Sequence, residues 1–186
     1  SFYLLDAYAQ GDWRSILKEY KEGRITVGEF NTRAFAMIKA DESTLLSKLD
    51  ENVRVRPGFR ELLDYCSYRG FRFVIVSNGL QFYIEAILRA LGINGVEAHA
   101  ATNAFLPNGI QVQYVAPDGR VLDDGFKEAF IKQYLSDGYR VIYVGNGTSD
   151  SYASRHAHVV FATGDLLTYY LRHGLDCIPF EDLTDV

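Results

Sequence analysis

The chain has 186 residues, of which 48% are apolar and 23% charged, the proportions of one ordinary globular domain and not of a disordered or collagen-like chain. Its 19 basic and 24 acidic side chains leave a net charge of −5 with no basic tail or like-charge block, which argues against binding nucleic acid or a membrane surface through bulk charge. No apolar run approaches the ~18 residues of a membrane span, no signal peptide opens the chain, and Cys66 and Cys177 form neither a disulfide scaffold nor metal-ligand spacing, so a reducing, cytoplasmic setting is expected.

The chain opens at Ser1 without a methionine, and Leu4, Leu5 and Tyr8 already stand at helical spacing, as if it entered mid-architecture. Up to residue 52 no strand pattern occurs. Phe2, Leu5, Ala9, Trp13, Ile16, Leu17 and Tyr20 form an apolar stripe broken near Gly11 and Gly23. Thr26 with Glu29 three residues later predicts a capping box, and Phe30, Ala34, Met37 and Ile38 continue the helical face. Residues 43–49 are again helix-like, which makes the start of the chain a small all-helical unit.

The pattern changes at Arg56-Pro57-Gly58. Pro57 suits a helix start, Phe59, Leu62, Leu63 and Cys66 line one face, and Gly70 stops the helix. Residues 71–76 are β-branched and aromatic and end in Ser77-Asn78-Gly79. Residues 80–91 form an amphipathic helix closed by Gly92. A short strand at 96–101, the turn Pro107-Asn108-Gly109, an alternating strand at 110–115 and the turn Pro117-Asp118-Gly119 predict a β-hairpin. A helix over 126–135 is followed by a buried-strand pattern at 139–144 that ends in Gly145-Asn146-Gly147-Thr148-Ser149-Asp150. A short helix, a strand at 158–162 and a helix at 165–172 complete the pattern. Apolar strands alternating with amphipathic helices predict an α/β fold with a doubly wound parallel sheet, whose ligands bind at the carboxyl ends of the strands.

That rule selects two loops. Ser77 offers a hydroxyl, and Asn78 and Gly79 offer backbone N–H groups near a helix N-terminus, a setting suited to an anion such as phosphate or, more plainly, to a capped turn. In the second loop Gly145 and Gly147 permit close backbone approach. Asp150 would repel a phosphate unless a cation mediates, and Mg²⁺ is the oxygen-seeking ion that fits. Lys127 opens a helix after Asp123-Asp124-Gly125 and can neutralise a phosphate and a carboxylate together. A dinucleotide fingerprint is rejected because Asp150 stands where the third glycine belongs. A hydrolase triad built on Ser77 is weak because Ile75 replaces the glycine of the nucleophile elbow. The four histidines show no ligand spacing.

Arg56-Pro57-Gly58-Phe59 before a helix, a strand ending in Ser77-Asn78-Gly79, Lys127, and a strand ending in Gly145 through Asp150 resemble the second, third and fourth motifs of the haloacid dehalogenase (HAD) superfamily, in order and approximate spacing, from Arg56 to Asp165. The likeness is to its phosphoserine-phosphatase-like branch and, within that, to the methionine-salvage 2-hydroxy-3-keto-5-methylthiopentenyl-1-phosphate phosphatases. The resemblance implies a HAD-like (Rossmannoid) α/β core at residues 55–186 with a β-hairpin insertion, and an α-helical cap at residues 1–54. It implies Mg²⁺-dependent hydrolysis of a small phosphorylated metabolite through an aspartyl-phosphate. Ser77, with Asn78 and Gly79, would hold the phosphoryl group, Lys127 would stabilise its charge, and Asn146 and Asp150 would form the metal end of the site.

Two departures qualify the match. The family's opening Asp-x-Asp-x-Thr motif occurs nowhere in the chain. It is expected upstream of Ser1 on a central first strand, without which the chain should be inactive and its neighbouring strands unpaired. Asn146 also stands where the family usually has aspartate, so a metal would be held without that formal charge. Both departures favour the competing expectation, a non-catalytic domain that binds a phospho-ligand.

Overall fold

Glycines and side-chain caps cut the first 54 residues into helices. The computed structural model describes residues 2–186, and their side chains except those of residues 50–52. Gly11 separates α1 (Phe2–Tyr8) from α2 (Trp13–Lys21), and Asp12 caps α2 by accepting from Ser15 N at 3.1 Å. Thr26 caps α3 (Val27–Phe35), accepting from Glu29 N at 3.0 Å. The Glu29 carboxylate turns to Arg33 one turn on, 3.3 Å away, so the expected capping box is made on one side. Asp41 caps α4 (Glu42–Asn52) through Thr44 N. Met37 and Ile38 lie past the end of α3, and Ile38 instead bridges Ala9 while remaining buried. Leu4, Leu5, Trp13, Ile16, Phe30 and Phe35 supply the buried faces.

The chain divides into two compact units, one of residues 1–54 with 74–126, the other of residues 55–73 with 127–186. In the first, β1 (Val74–Leu80) runs parallel to β2 (Glu97–Leu106) through Val74↔Glu97, Ile75↔Ala98 and Val76↔His99, then resumes at Leu80↔Ala101. β1 thus takes more residues than β2 between those pairs. Ser77, Asn78 and Gly79 form a bulge inside the strand, where the sequence predicts its end, and α6 (Gln81–Ala90) starts directly after Leu80. The second half of β2 continues beyond the predicted 101 as an antiparallel partner of β3 (Gly109–Val115), from Thr102↔Gln113 to Leu106↔Gly109. After the second predicted turn, the short β4 (Val121–Leu122) pairs with β3. The order is β1-β2-β3-β4, with α3 packed on β3 and α6 on β2.

The second unit begins with α5 (Phe59–Arg69). Pro57 lies outside this helix because Gly58, at φ +81°, forms the N-cap; a Cβ there would sit 2.5 Å from Thr184 N. α7 (Phe126–Ser136) leads to β5 (Ile142–Gly145), followed by a 3-10 turn over Thr148–Asp150 and the short α8 (Ser151–Ser154). β6 (Val159–Ala162), α9 (Gly164–His173) and β7 (Ile178–Pro179) complete the unit. β5, β6 and β7 form a parallel sheet, with Ile142↔Val159 and Phe161↔Ile178 in register. Val160 and Ala162 of β6 form a buried cluster with Leu166 and Tyr170 of α9. β7, two residues ending in proline, gives no sequence pattern. The α/β class with parallel strands is as expected, but the strands form two sheets: among the described residues β1 and β5 each have a single ladder neighbour.

The β2–β3 turn provides a test of packing. Gly109 has φ +140°, and a Cβ there would overlap the Ala36 carbonyl at the end of α3, whereas Gly119, at φ +85°, faces open space. Gly109→Ala is expected to cost roughly 2–4 kcal/mol, through backbone strain together with overlap. Gly119→Ala should cost about 1 kcal/mol, through strain alone. Urea unfolding of the two variants measures the difference.

Candidate active site

At the carboxyl end of β5, four donors converge on one carboxylate. Asp150 Oδ1 accepts from Lys127 Nζ at 2.5 Å and from the Tyr143 hydroxyl at 2.6 Å, while Oδ2 accepts from Gly147 N at 2.8 Å and Asn146 N at 3.1 Å. The Asp150 side chain is 5% exposed and that of Lys127 16%. Burial pushes the Asp150 carboxyl up, but the Lys127 ammonium beside it, with hydrogen bonds from Lys127, Tyr143 and Gly147, holds it below its ordinary value. The Tyr143 phenol is pushed well up, by burial first and then by the Asp150 charge.

The local sequence explains the geometry. Tyr143 and Gly145 are two apart on β5 and so share a face, and a Cβ on Gly145 would meet the Tyr143 ring at 2.8 Å and Asp150 Oδ2 at 2.9 Å. The 3-10 turn then brings Asp150 back over the loop's own N–H groups. Outside the carboxylate, Thr163 N donates to Gly145 O at 3.1 Å, and Leu166 N donates to Asn146 O at 3.3 Å.

The donor set decides how well Mg²⁺ fits. A carboxylate offers about four lone-pair directions, and protein donors fill all those of Asp150. A cation there would have to displace the Lys127 ammonium or a backbone N–H. In this geometry Asp150 anchors Lys127, where the sequence reading has it as a metal ligand. Asn146 is exposed and offers one neutral amide oxygen. Among the described residues no group of three or more His, Cys, Asp and Glu side chains is placed to hold a metal. These residues alone do not fit Mg²⁺, which takes six oxygens, one or two of them usually from carboxylates.

Ser77, Asn78 and Gly79 lie in the first unit, on the β1 bulge. Gly79 N donates to Ser77 Oγ at 3.0 Å, so this N–H is turned onto the serine and not left open to an anion. A Cβ on Gly79 would overlap the Tyr83 hydroxyl, which accounts for glycine there. The N-terminus of α6 is served from elsewhere, as Phe82 N donates to Asn103 Oδ1 at 3.3 Å. The Asn78 carbonyl accepts from Asn31 Nδ2 at 2.8 Å and from the Tyr114 hydroxyl at 2.6 Å.

The structure therefore brings Lys127, Asn146 and Asp150 together in one unit and keeps Ser77, Asn78 and Gly79 with Asn31 and Tyr114 in the other. Tyr143, Asn31 and Tyr114 are partners of the candidate residues that sequence reasoning missed. For Tyr143 a signal existed, a polar aromatic two residues before the loop glycine in an otherwise aliphatic strand. Asn31 and Tyr114 are 47 and 36 residues from Asn78, beyond the reach of any local pattern.

Residues 2–155 match the sequence model of the haloacid dehalogenase-like hydrolases. A 2-hydroxy-3-keto-5-methylthiopentenyl-1-phosphate phosphatase of Bacillus pumilus (strain SAFR-032) is 21% identical over 98% of this chain and 80% of its own. One of Geobacillus kaustophilus (strain HTA426) is 26% identical over 98% of this chain and 84% of its own. A solved phospho-aspartyl intermediate analogue of phosphoserine phosphatase superposes with a TM-score of 0.68 at 19% identity, covering 94% of this chain and 82% of that one. The structural likeness is one of fold.

The Asp150 cluster predicts a pH signature. A carboxyl lowered in the folded state adds stability above its unfolded pKa, about 3.9, and that stability is lost as the pH falls through the folded value. Asp150→Asn leaves the Lys127 ammonium buried without its counter-charge, at an expected cost of roughly 3–5 kcal/mol at pH 7. The gap to wild type should narrow steadily below about pH 4, as the wild-type carboxyl takes up its proton. Urea unfolding across that range checks both the size and the direction.

Proposed function

We propose that this chain, which belongs to the haloacid dehalogenase-like hydrolases, is a phosphomonoester hydrolase that handles the phosphoryl group of a small phosphorylated metabolite in the cytoplasm. The observation that carries this reading is the buried Lys127–Asp150 pair at the end of β5. An ammonium has three N–H donors, and Asp150 takes one. Asp150 also accepts from Tyr143 and two backbone N–H groups, and the remaining N–H groups of Lys127 can donate to an incoming anion.

Each residue has a role in this reading. Lys127 offsets the charge of the phosphoryl oxygens, and Asp150 and Tyr143 hold the ammonium in place. Ser77, from its own unit, donates its hydroxyl to a phosphoryl oxygen. Residues 1–54 select the substrate as the helical cap and residues 55–186 form the core, a functional division that crosscuts the two compact units. Mg²⁺ belongs to the reading through the family alone, with Asn146 as its one open donor, and no step is assigned to it. No Asp-x-Asp-x-Thr segment lies within the 186 residues, so no residue here is assigned the nucleophilic attack. The helices of the described residues include none long and apolar enough to cross a membrane.

Calorimetric titration with small phosphomonoesters tests the reading, beginning with 2-hydroxy-3-keto-5-methylthiopentenyl-1-phosphate, the ester in the relatives' names. Lys127→Ala should weaken binding by about 10–100-fold, the 1.5–3 kcal/mol of a charged hydrogen bond. Unchanged affinity in a folded variant would return Lys127 to a structural role. The 186-residue chain is expected to release no phosphate, with or without Mg²⁺. Measurable turnover would mean that a carboxylate within these residues acts as nucleophile, whereas tight binding without turnover in every version of the protein would favour a phospho-ligand-binding domain. Asn146→Asp supplies a carboxylate not already engaged, and Mg²⁺ titrated alone should bind it more tightly than it binds wild type.

A further inference from the structure

We infer that Asn31 and Tyr114 are positioning residues that preset the Ser77 hydroxyl as a hydrogen-bond donor for an acceptor-only anion, acting through the Asn78–Gly79 peptide. The inference rests on the proposed role of Ser77 toward a phosphoryl oxygen and adds the groups that impose it.

Three polar groups close on one another here. Asn31 Nδ2 lies 2.8 Å from Asn78 O and 2.6 Å from the Tyr114 hydroxyl, so its amide donates into the space shared by these two oxygens. The Tyr114 hydroxyl has one proton, given to Asn78 O at 2.6 Å. The Asn78 carbonyl is therefore held by two side chains at once. Asn31 is 6% exposed and Tyr114 3%, so both donors are largely shielded from water. Burial, partly offset by the Asn31 bond, pushes the Tyr114 phenol up and keeps its proton on the ring oxygen.

A carbonyl held by two side chains fixes its peptide plane, and in a trans peptide the N–H of the next residue points the opposite way. The next N–H is that of Gly79, and it donates to Ser77 Oγ at 3.0 Å. With that lone pair occupied, the serine's own O–H is directed away from Gly79 as a donor. A ligand atom that can only accept, such as a phosphoryl oxygen, satisfies it, and a ligand N–H meets a partly occupied acceptor.

The clamp also has a fixed support. α3, which carries Asn31, is held at its start by Thr26, whose hydroxyl donates to Asp123 O at 2.9 Å. The backbone there is close enough that a Cβ on Gly28 would lie 2.7 Å from Asp123 O. At the other end, Ala36 O sits against Gly109. Asn31 reaches the bulge from a helix fixed at both ends on the sheet that carries Ser77, and the bulge loosens the ladder where an external clamp is needed.

Two readouts on the 186-residue chain test the inference: hydrogen exchange of the Gly79 amide, and affinity for inorganic phosphate. Asn31→Leu should speed Gly79 exchange and weaken phosphate binding by about tenfold, equivalent to 1.4 kcal/mol. Tyr114→Phe, which keeps the Asn31–Asn78 bond and the ring packing, should shift both in the same direction by a smaller factor and remains informative if Asn31→Leu does not fold. Wild-type exchange and affinity in the folded variants overturn the inference. Faster Gly79 exchange with unchanged phosphate affinity overturns it too, because the clamp then does not set the serine. Ser77→Ala separates the two levels. Weakened phosphate binding in that variant supports the role of Ser77, whereas unchanged binding overturns that role and the presetting inferred from it.

Discussion

A buried carboxylate must find its partners inside the protein, and much of the second unit is arranged around that requirement for Asp150. Removing such an ion from water costs several kcal/mol even after the structure relaxes, so an incompletely partnered Asp150 would not stay ionised. Its four donors come from three places: the start of α7, the middle of β5 and the backbone of the loop itself. The small residue at Gly145, the tight turn before α8 and the buried phenol of Tyr143 all follow from letting those donors reach one group. The product of the arrangement is a lysine held in one position with its charge retained, a stronger electrostatic element than the same lysine on a solvated surface.

The loop of the first unit uses the same logic with the roles of donor and acceptor exchanged. There the group that must be satisfied is a backbone carbonyl, that of Asn78, exposed by the interruption of the β1–β2 ladder. Two side chains from distant elements complete it, and doing so fixes the orientation of Ser77. In both loops atoms that would be available in a free turn are turned inward, and in the proposed function one polar group of each, an ammonium in one case and a hydroxyl in the other, meets the ligand. Rigidity comes from closed hydrogen-bond accounts more than from glycine-rich flexibility.

Much of this was readable from the chain alone. Helices with side-chain caps, such as the one begun by Thr26, and strands with continuous β-branched runs, such as Val74-Ile75-Val76, are specified by neighbours a few residues apart. Ser77 and the loop from Gly145 to Asp150 stood out because each follows such a strand directly, and Lys127 because it opens a helix after Asp123-Asp124-Gly125. The alternation of strand and helix was enough for the α/β class.

Tertiary structure decided what depends on separation in sequence. Only the ladder register shows that Ser77, Asn78 and Gly79 are a bulge within a continuing strand, because register belongs to two strands and not to one. Only packing shows that β2 runs on past residue 101 to Leu106 as the first strand of the hairpin, and that β7 exists at all, since its two residues carry no period. The partners of Asp150 were likewise beyond local pattern. A lone acidic residue in a first turn reads equally as a cap, a metal ligand or a counter-ion, and in the structure Asp150 both caps the turn through Gly147 N and pairs with Lys127. Sequence determined which chemical groups are present and on which elements they stand. The fold determined which of them are satisfied by one another and which remain for a ligand, because a hydrogen bond is made by atoms within about 3 Å in space, whatever their distance along the chain.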